Sequence, residues 1–229
     1  MQAAIAFIQH RNKSPRCVCY TATMSKPALN DIRKLAVELA LPFYLIDRDM
    51  DIQLSDTEHR KETDAEHAWS IALIACSIAP LIDEKLDVGK IAELAVVHDL
   101  VEVYSGDVSI WASKDALAQK EKREQESLKK LETKFGQFPW LIENIKEYEH
   151  KSSKEALFVN AVDKLVPFFF RMLVKPTPFE RKKISLEDFK IGILRSREKV
   201  KSHPVISEYF EEMLEIFFSH PEYFYDDGR

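Results

Sequence analysis

Four residues combine the types and the placing that a divalent-metal centre needs: His67, His98, Asp99 and Asp163. Each stands where a helical pattern asks for an apolar side chain. His67 comes one turn before Ile71 and so shares its inward face. Asp163 interrupts the stripe formed by Val159, Val166 and Phe170. A lone inward histidine is ordinarily a hydrogen-bonded core residue, but an unpaired inward carboxylate is costly to desolvate. Two imidazoles and two carboxylates drawn from separate helices change that balance. One divalent cation would neutralise both acids and accept both nitrogen lone pairs. His98 and Asp99 diverge by only about 100° on a helix, an angle across which both can reach one ion. Two N and two O donors leave open positions on a six-coordinate ion, and they suit Mn, Co, Fe, Ni, Zn or Mg without choosing among them. Such an ion polarises a phosphoryl oxygen and acidifies water, which overcomes the resistance of an anionic phosphate ester to nucleophiles.

The elements that must hold these groups read as helices. Thr63 and Glu66 form a capping box that opens a helix over about 64–79, with Pro80 as its stop. Asp87 caps a second helix over about 88–104, with Gly106 just past its end. In that helix His98 and Glu102 lie one turn apart on one face. The charge-rich segment 114–135 ("QKEKREQESLKK") keeps a thin apolar stripe of Leu117, Leu128, Leu131 and Phe135, the pattern of a solvated surface helix. A short helix follows over 139–149. Ser152 and Glu155 then read as a second capping box, opening the helix through about 174 that carries Asp163, with a kink expected at Pro167. Two more amphipathic helices fall near 185–201 and 204–218, their Phe189, Tyr209, Phe210, Phe217 and Phe218 reading as core or dimer contacts. Residues 29–40 predict a short helix broken by Pro42, and 41–63 an irregular charged connection. The fold class expected is all-α, with residues 1–50 as an N-terminal extension and 51–229 as the main domain.

Three stretches carry a resemblance to a known family: "AEH" at 65–67, "VVHDLVEVYSGD" at 96–107 and "EYEHKSSKEALFVNAVDKL" at 147–165. In their order, and in the H-D-x-x-E-x-x-x-G-D extension, they resemble the HD-domain superfamily, most closely its 5′-deoxynucleotidase branch. The likeness covers about residues 55–175. It implies a helical HD bundle in which His67, His98, Asp99 and Asp163 bind one divalent metal. It further implies that Glu102 orients or deprotonates the attacking water, and that Asp107 sits near the substrate sugar or assists proton transfer. Arg60 matches an arginine the family places seven residues before its first histidine, where it can grip phosphate by a bidentate fork. Lys164, beside Asp163, also faces phosphate on this reading. Dinuclear relatives need extra histidines between the HD pair and the last Asp; only His150 lies there, which favours a single ion. Relatives that act on deoxynucleotides carry an Arg-Trp pair before the first histidine. The corresponding segment, "DRDMDIQLSDTEHRKETDAEH", has none, so no deoxyribose preference is carried over.

Composition sets the outer bounds. The chain has 229 residues, a formal charge of −5, 31% charged and 45% apolar residues, five Gly and ten Pro. So few turn formers favour helices over many short strands. No basic stripe argues for a nucleic-acid polymer, and no apolar run approaches the roughly 18 residues that span a bilayer. Cys17, Cys19 and Cys76 supply no disulfide framework, which points to a reducing, cytoplasmic setting. The first 30 residues lack acids, and Met24 is an alternative start. The expected partner is a small phosphate ester, foremost a nucleoside 5′-monophosphate, with a homodimer permitted. The alternatives are a nucleoside triphosphate, a cyclic nucleotide or a small non-nucleotide phosphate as substrate, or a non-catalytic binding module.

Overall fold

The structure is a computed structural model that describes residues 26–55, 58–109, 111–174, 177–226 and 228. Cys17, Cys19 and the Met24 start lie outside the described residues. The chain opens with α1 (Leu29–Leu35), a wider π-helical turn (Ala36–Ala40) and α2 (Leu41–Phe43), so the helix passes through Pro42 before it stops. Next comes a feature that the pattern did not predict. Residues read as irregular form an antiparallel hairpin of β1 (Asp47–Gln53) and β2 (His59–Thr63), with Asp51 opposite Lys61 and Ile52 opposite Arg60. Residues 49–54 do alternate polar and apolar, but the acids of β1 disfavour a strand and β2 has no apolar residue to match it, which hides the hairpin. Complementary pairs across it, Asp51 with Lys61 at 3.1 Å among them, hold it instead.

The rest of the described chain is helical: α3 (Asp64–Ile82), α4 (Val88–Val97), α5 (Glu102–Ser105), α6 (Lys114–Phe135), α7 (Pro139–Glu149), α8 (Lys154–Leu173), α9 (Pro178–Arg181), α10 (Leu186–Gly192), α11 (Leu194–Val200) and α12 (Pro204–Ser219). The capping box of Thr63 and Glu66 opens α3 as expected, but Pro80 lies inside the helix and does not end it. α3 is long and apolar enough to cross a membrane by length and mean hydropathy (1.5) alone. Here it packs one face on α4 and α8, and leaves Trp69, Leu73 and Leu81 exposed on another. The cap of α8 is Ser153, whose hydroxyl accepts from the Ala156 amide. Glu155 binds the Asp87 amide at 3.0 Å, where a capping box would have turned it back on Ser152. That exchange ties the start of α8 to the start of α4. α8 continues through Pro167 to Leu173.

Two apolar clusters fill the bundle. One joins α3, α4 and α8 to the C-terminal helices, with Phe168, Phe179, Phe189, Phe210 and Phe217 all at most 1% exposed. Their rings meet mainly edge to face, with centroids 5.2–6.1 Å apart along Phe179–Phe189 and Phe168–Phe189. Tyr209 and Phe218 stay on the surface. The second cluster joins Leu39 and Phe43 to Val97, Val101, Leu131, Phe135 and Ile145, so the N-terminal helices share the core of the domain. Trp111 lies against Phe179 and Phe189, and a Cβ at Gly192 would fall inside its ring. Gly192→Ala is therefore expected to destabilise the protein by about 1–3 kcal/mol, read as a lower urea midpoint.

Candidate metal centre

α3, the turn after α4, and α8 bring the four expected ligands to one point. His67 Nε2 lies 2.9 Å from Asp163 Oδ1 and 3.9 Å from Asp99 Oδ2. His98 Nε2 lies 3.1 Å from Asp99 Oδ2 and 3.9 Å from Asp163 Oδ1. His67, His98 and Asp163 are at most 2% exposed. The turn itself departs from the helix predicted over 88–104. After Val97, amide bonds run to the third preceding carbonyl (Leu100 to Val97, Glu102 to Asp99, Tyr104 to Val101). That tightening widens the angular step per residue from about 100° to about 120°. It re-aims His98, Asp99 and Glu102 within two turns of chain.

The donor set fits a cation. His98 Nδ1–H donates to the Ala95 carbonyl at 2.8 Å, so in the neutral ring the Nε2 lone pair faces two carboxylates. His98 Nε2 has no hydrogen-bond partner and is fully buried. Lone pair against carboxylate is repulsive until a proton or a metal comes between them. On the far side of His67, Nδ1 faces Glu62 Oε2 at 3.5 Å, the carboxylate–imidazole arrangement that orients ligand histidines. Burial opposes charge on His98, but Asp99 and Asp163 outweigh it and raise its pKa above the ordinary value. Asp163 and Asp99 are held well below the carboxylate range: burial works against this, but Lys164 and His67 prevail at Asp163, and His98 and Arg48 at Asp99.

A second group of donors, Asp64, Asp99 and Glu102, lies alongside. Here a guanidinium already supplies the charge, since Arg48 on β1 bonds Asp64 at 3.0 Å and Asp99 at 2.6 Å. Burial, and then the charge of Asp99, lift Asp64 to about 7. The same two causes lift Glu102 well above its usual range, against the pull of Lys120 at 3.2 Å. Glu102 Oε2 is buried without a hydrogen-bond partner.

Arg48, His98, Asp99, Glu102, Lys120 and Asp163 line a cavity of about 520 Å³, with His67 and Asp64 buried behind its wall. Asp107 lies in its wall and accepts from the Asp49 amide at 3.4 Å. Lys164 lines it too, bonded to Asp163. Arg60 does not: its guanidinium forks onto Glu66 at the α3 cap and stays outside. The cation of that segment that reaches the cavity is Arg48, which the sequence pattern did not single out. α6 is likewise more than a solvated helix, since Lys120, Glu121, Glu124 and Gln125 form part of the wall.

The HD domain family model matches residues 51–201, further in both directions than the motifs alone reach. The chain belongs to the HD-domain family. Among its relatives, the human 5′-deoxynucleotidase HDDC2 is 33% identical over 108 residues, which span 45% of this chain and half the length of that protein. The bovine 5′-deoxynucleotidase HDDC2 is 29% identical over 159 residues, 67% of this chain and 71% of that one. The fold is shared with a solved structure from Magnetospirillum magnetotacticum MS-1 described as a predicted metal-dependent phosphohydrolase (TM-score 0.69, 23% identity, 86% of this chain and 95% of that one). A protein of Pyrococcus horikoshii OT3 is also similar (TM-score 0.54, 25% identity, 81% and 96%).

Glu62→Gln is expected to weaken metal affinity by about 10–100-fold with the fold intact, read by chelator competition. A proton competes with the metal for His98, whose pKa lies above the ordinary value of about 6.5. Metal affinity should therefore already fall as pH drops from neutral, and titration calorimetry across pH 6–8 would show it.

Proposed function

We propose that the chain is a metal-dependent phosphomonoesterase that takes nucleoside 5′-monophosphates to nucleoside and phosphate with a single divalent ion. The observation that supports it most is the convergence of His67, His98, Asp99 and Asp163 on one point of a cavity that also holds a partnerless Glu102 oxygen. A divalent ion held by those four would polarise a phosphoryl oxygen and acidify a water. The positive charge of such an ion would favour the ionised Glu102 carboxylate against the burial that lifts its pKa. Glu102, steadied by Lys120, would then take the proton from the attacking water. Lys164 and Arg48 hold the phosphate oxygens, with Arg48 in the place the sequence pattern gave to Arg60. Asp107 receives a sugar hydroxyl. The names of the mammalian relatives support the nucleotide class. The free thiol of Cys76 supports a reducing, cytoplasmic setting.

A second copy of the chain is the partner we assign to a separate groove lined by Tyr44, Trp69, Phe170 and Leu173, where large apolar side chains stand exposed. Sedimentation should give a dimer that Trp69→Glu dissociates; a wild-type monomer at micromolar concentration refutes it.

The enzymatic reading is tested by metal analysis of the purified protein, followed by phosphate release from ribo- and deoxyribonucleotides. Glu102→Gln should lower kcat by about 10²–10⁴ with metal content unchanged. Unchanged turnover would remove Glu102 from the reaction. Release of pyrophosphate instead of phosphate would move the substrate class to nucleoside triphosphates.

A further inference from the structure

α8 brings one more charged side chain to the cavity, and the mechanism above leaves it unused. Arg171 lies eight residues beyond Asp163, about 12 Å further along the helix axis. It is 8% exposed, lines the same cavity as Asp163 and Pro167, and makes no hydrogen bond or ion pair among the described residues. Its guanidinium lies over the Phe168 ring, 4.8 Å from the centroid. That contact steadies the group and leaves its five N–H donors unspent.

Arg48, in the same wall, is the instructive contrast. It is buried too, but it is bonded to Asp64 and Asp99 and surrounded by further acids, so its charge is secured. At Arg171 burial dominates and the positive charge of Arg48 adds to it, lowering its pKa to about 10 even with Asp49 in range. Asp49, Glu62 and Asp107 act on it from a distance, but none pairs with it, and its donors open onto the cavity.

We infer that Arg171 anchors an anion subsite separate from the metal centre, and that the preferred substrate carries a second anionic group, phosphate or carboxylate, besides the phosphate that is cleaved. The inference rests on the phosphomonoesterase reading. The cations next to the ligands, Lys164 on Asp163 and Arg48 on Asp99, already serve the scissile phosphate. No hydrogen bond or ion pair joins Arg171 to His67, His98, Asp99 or Asp163, and its backbone stands about 12 Å along α8 from that of Asp163. A neutral group there would leave its charge uncompensated, whereas a planar carboxylate or a phosphate matches the guanidinium fork in shape and charge.

The test uses the metal-loaded wild type, Arg171→Gln and Arg171→Lys on matched esters: adenosine 5′-monophosphate against adenosine 3′,5′-bisphosphate, and glycerol 3-phosphate against 3-phosphoglycerate. In at least one pair the wild type should favour the doubly anionic member in kcat/KM by about ten-fold. Arg171→Gln should abolish that preference while leaving the singly anionic member within about two-fold, and Arg171→Lys should keep part of it. Equal losses on both members of each pair, or no wild-type preference, would each overturn the inference. Should no ester be hydrolysed, the phosphomonoesterase reading fails by itself and binding decides the subsite. The bisphosphate must then raise the wild-type Tm more than the monophosphate does, and must lose that advantage with Arg171→Gln.

Discussion

Buried negative charge at the meeting of α3, the tightened turn after α4, and α8 is the constraint around which the molecule is arranged. Asp64, Asp99, Glu102 and Asp163 lie within a few side-chain lengths of one another, and Glu62 stands behind His67. Carboxylates in such a place repel each other and lose hydration, which is why burial pushes Asp64 and Glu102 upward. Cationic partners arrive from four directions: Arg48 from the hairpin, Lys120 from α6, Lys164 from α8 itself, and a proton or metal at the two imidazoles. The elements outside the three central helices can be understood by which of these charges they deliver.

The aromatic cluster on the C-terminal side does a different job. Phe168 belongs both to that cluster and to the cavity wall, so the packing that stabilises α10 and α12 also fixes the side of α8 that faces the cavity. Close-packed rings leave little room for α8 to shift. The proposed ligand Asp163 is thereby held by an apolar framework.

Much of this was legible in the sequence, and the limits have physical causes. The four proposed metal ligands stood out because a polar residue at an apolar helical position is costly, and costs of that kind show in a pattern. The caps at Thr63 and Asp87 were equally plain. The hairpin was missed although Asp49 to Leu54 alternates polar and apolar residues, because its acids disfavour strands and β2 (His59–Thr63) has no apolar residue at all. Arg48 was hidden with it. Arg171 and the wall residues of α6 were missed for another reason: a long charged side chain at a helical position reads as solvated, and only packing shows which way its head turns. Arg60 failed in the opposite sense. Its spacing matched, but the nearby capping glutamate, Glu66, offered a partner one strand away and claimed its fork.

Pro167 stands midway along α8 between Asp163 and Arg171. With no N–H to donate, it leaves the carbonyl of Asp163 without its usual helical partner, yet the helix runs on unbroken. One continuous rod thus carries an acid at one station and a cation at another, and their separation is set by backbone rise and not by loop motion. On the proposed reading such a rod would measure its ligand: a dianion whose spacing matches that interval would reach both an ion held at Asp163 and the guanidinium of Arg171, and a shorter one only the first.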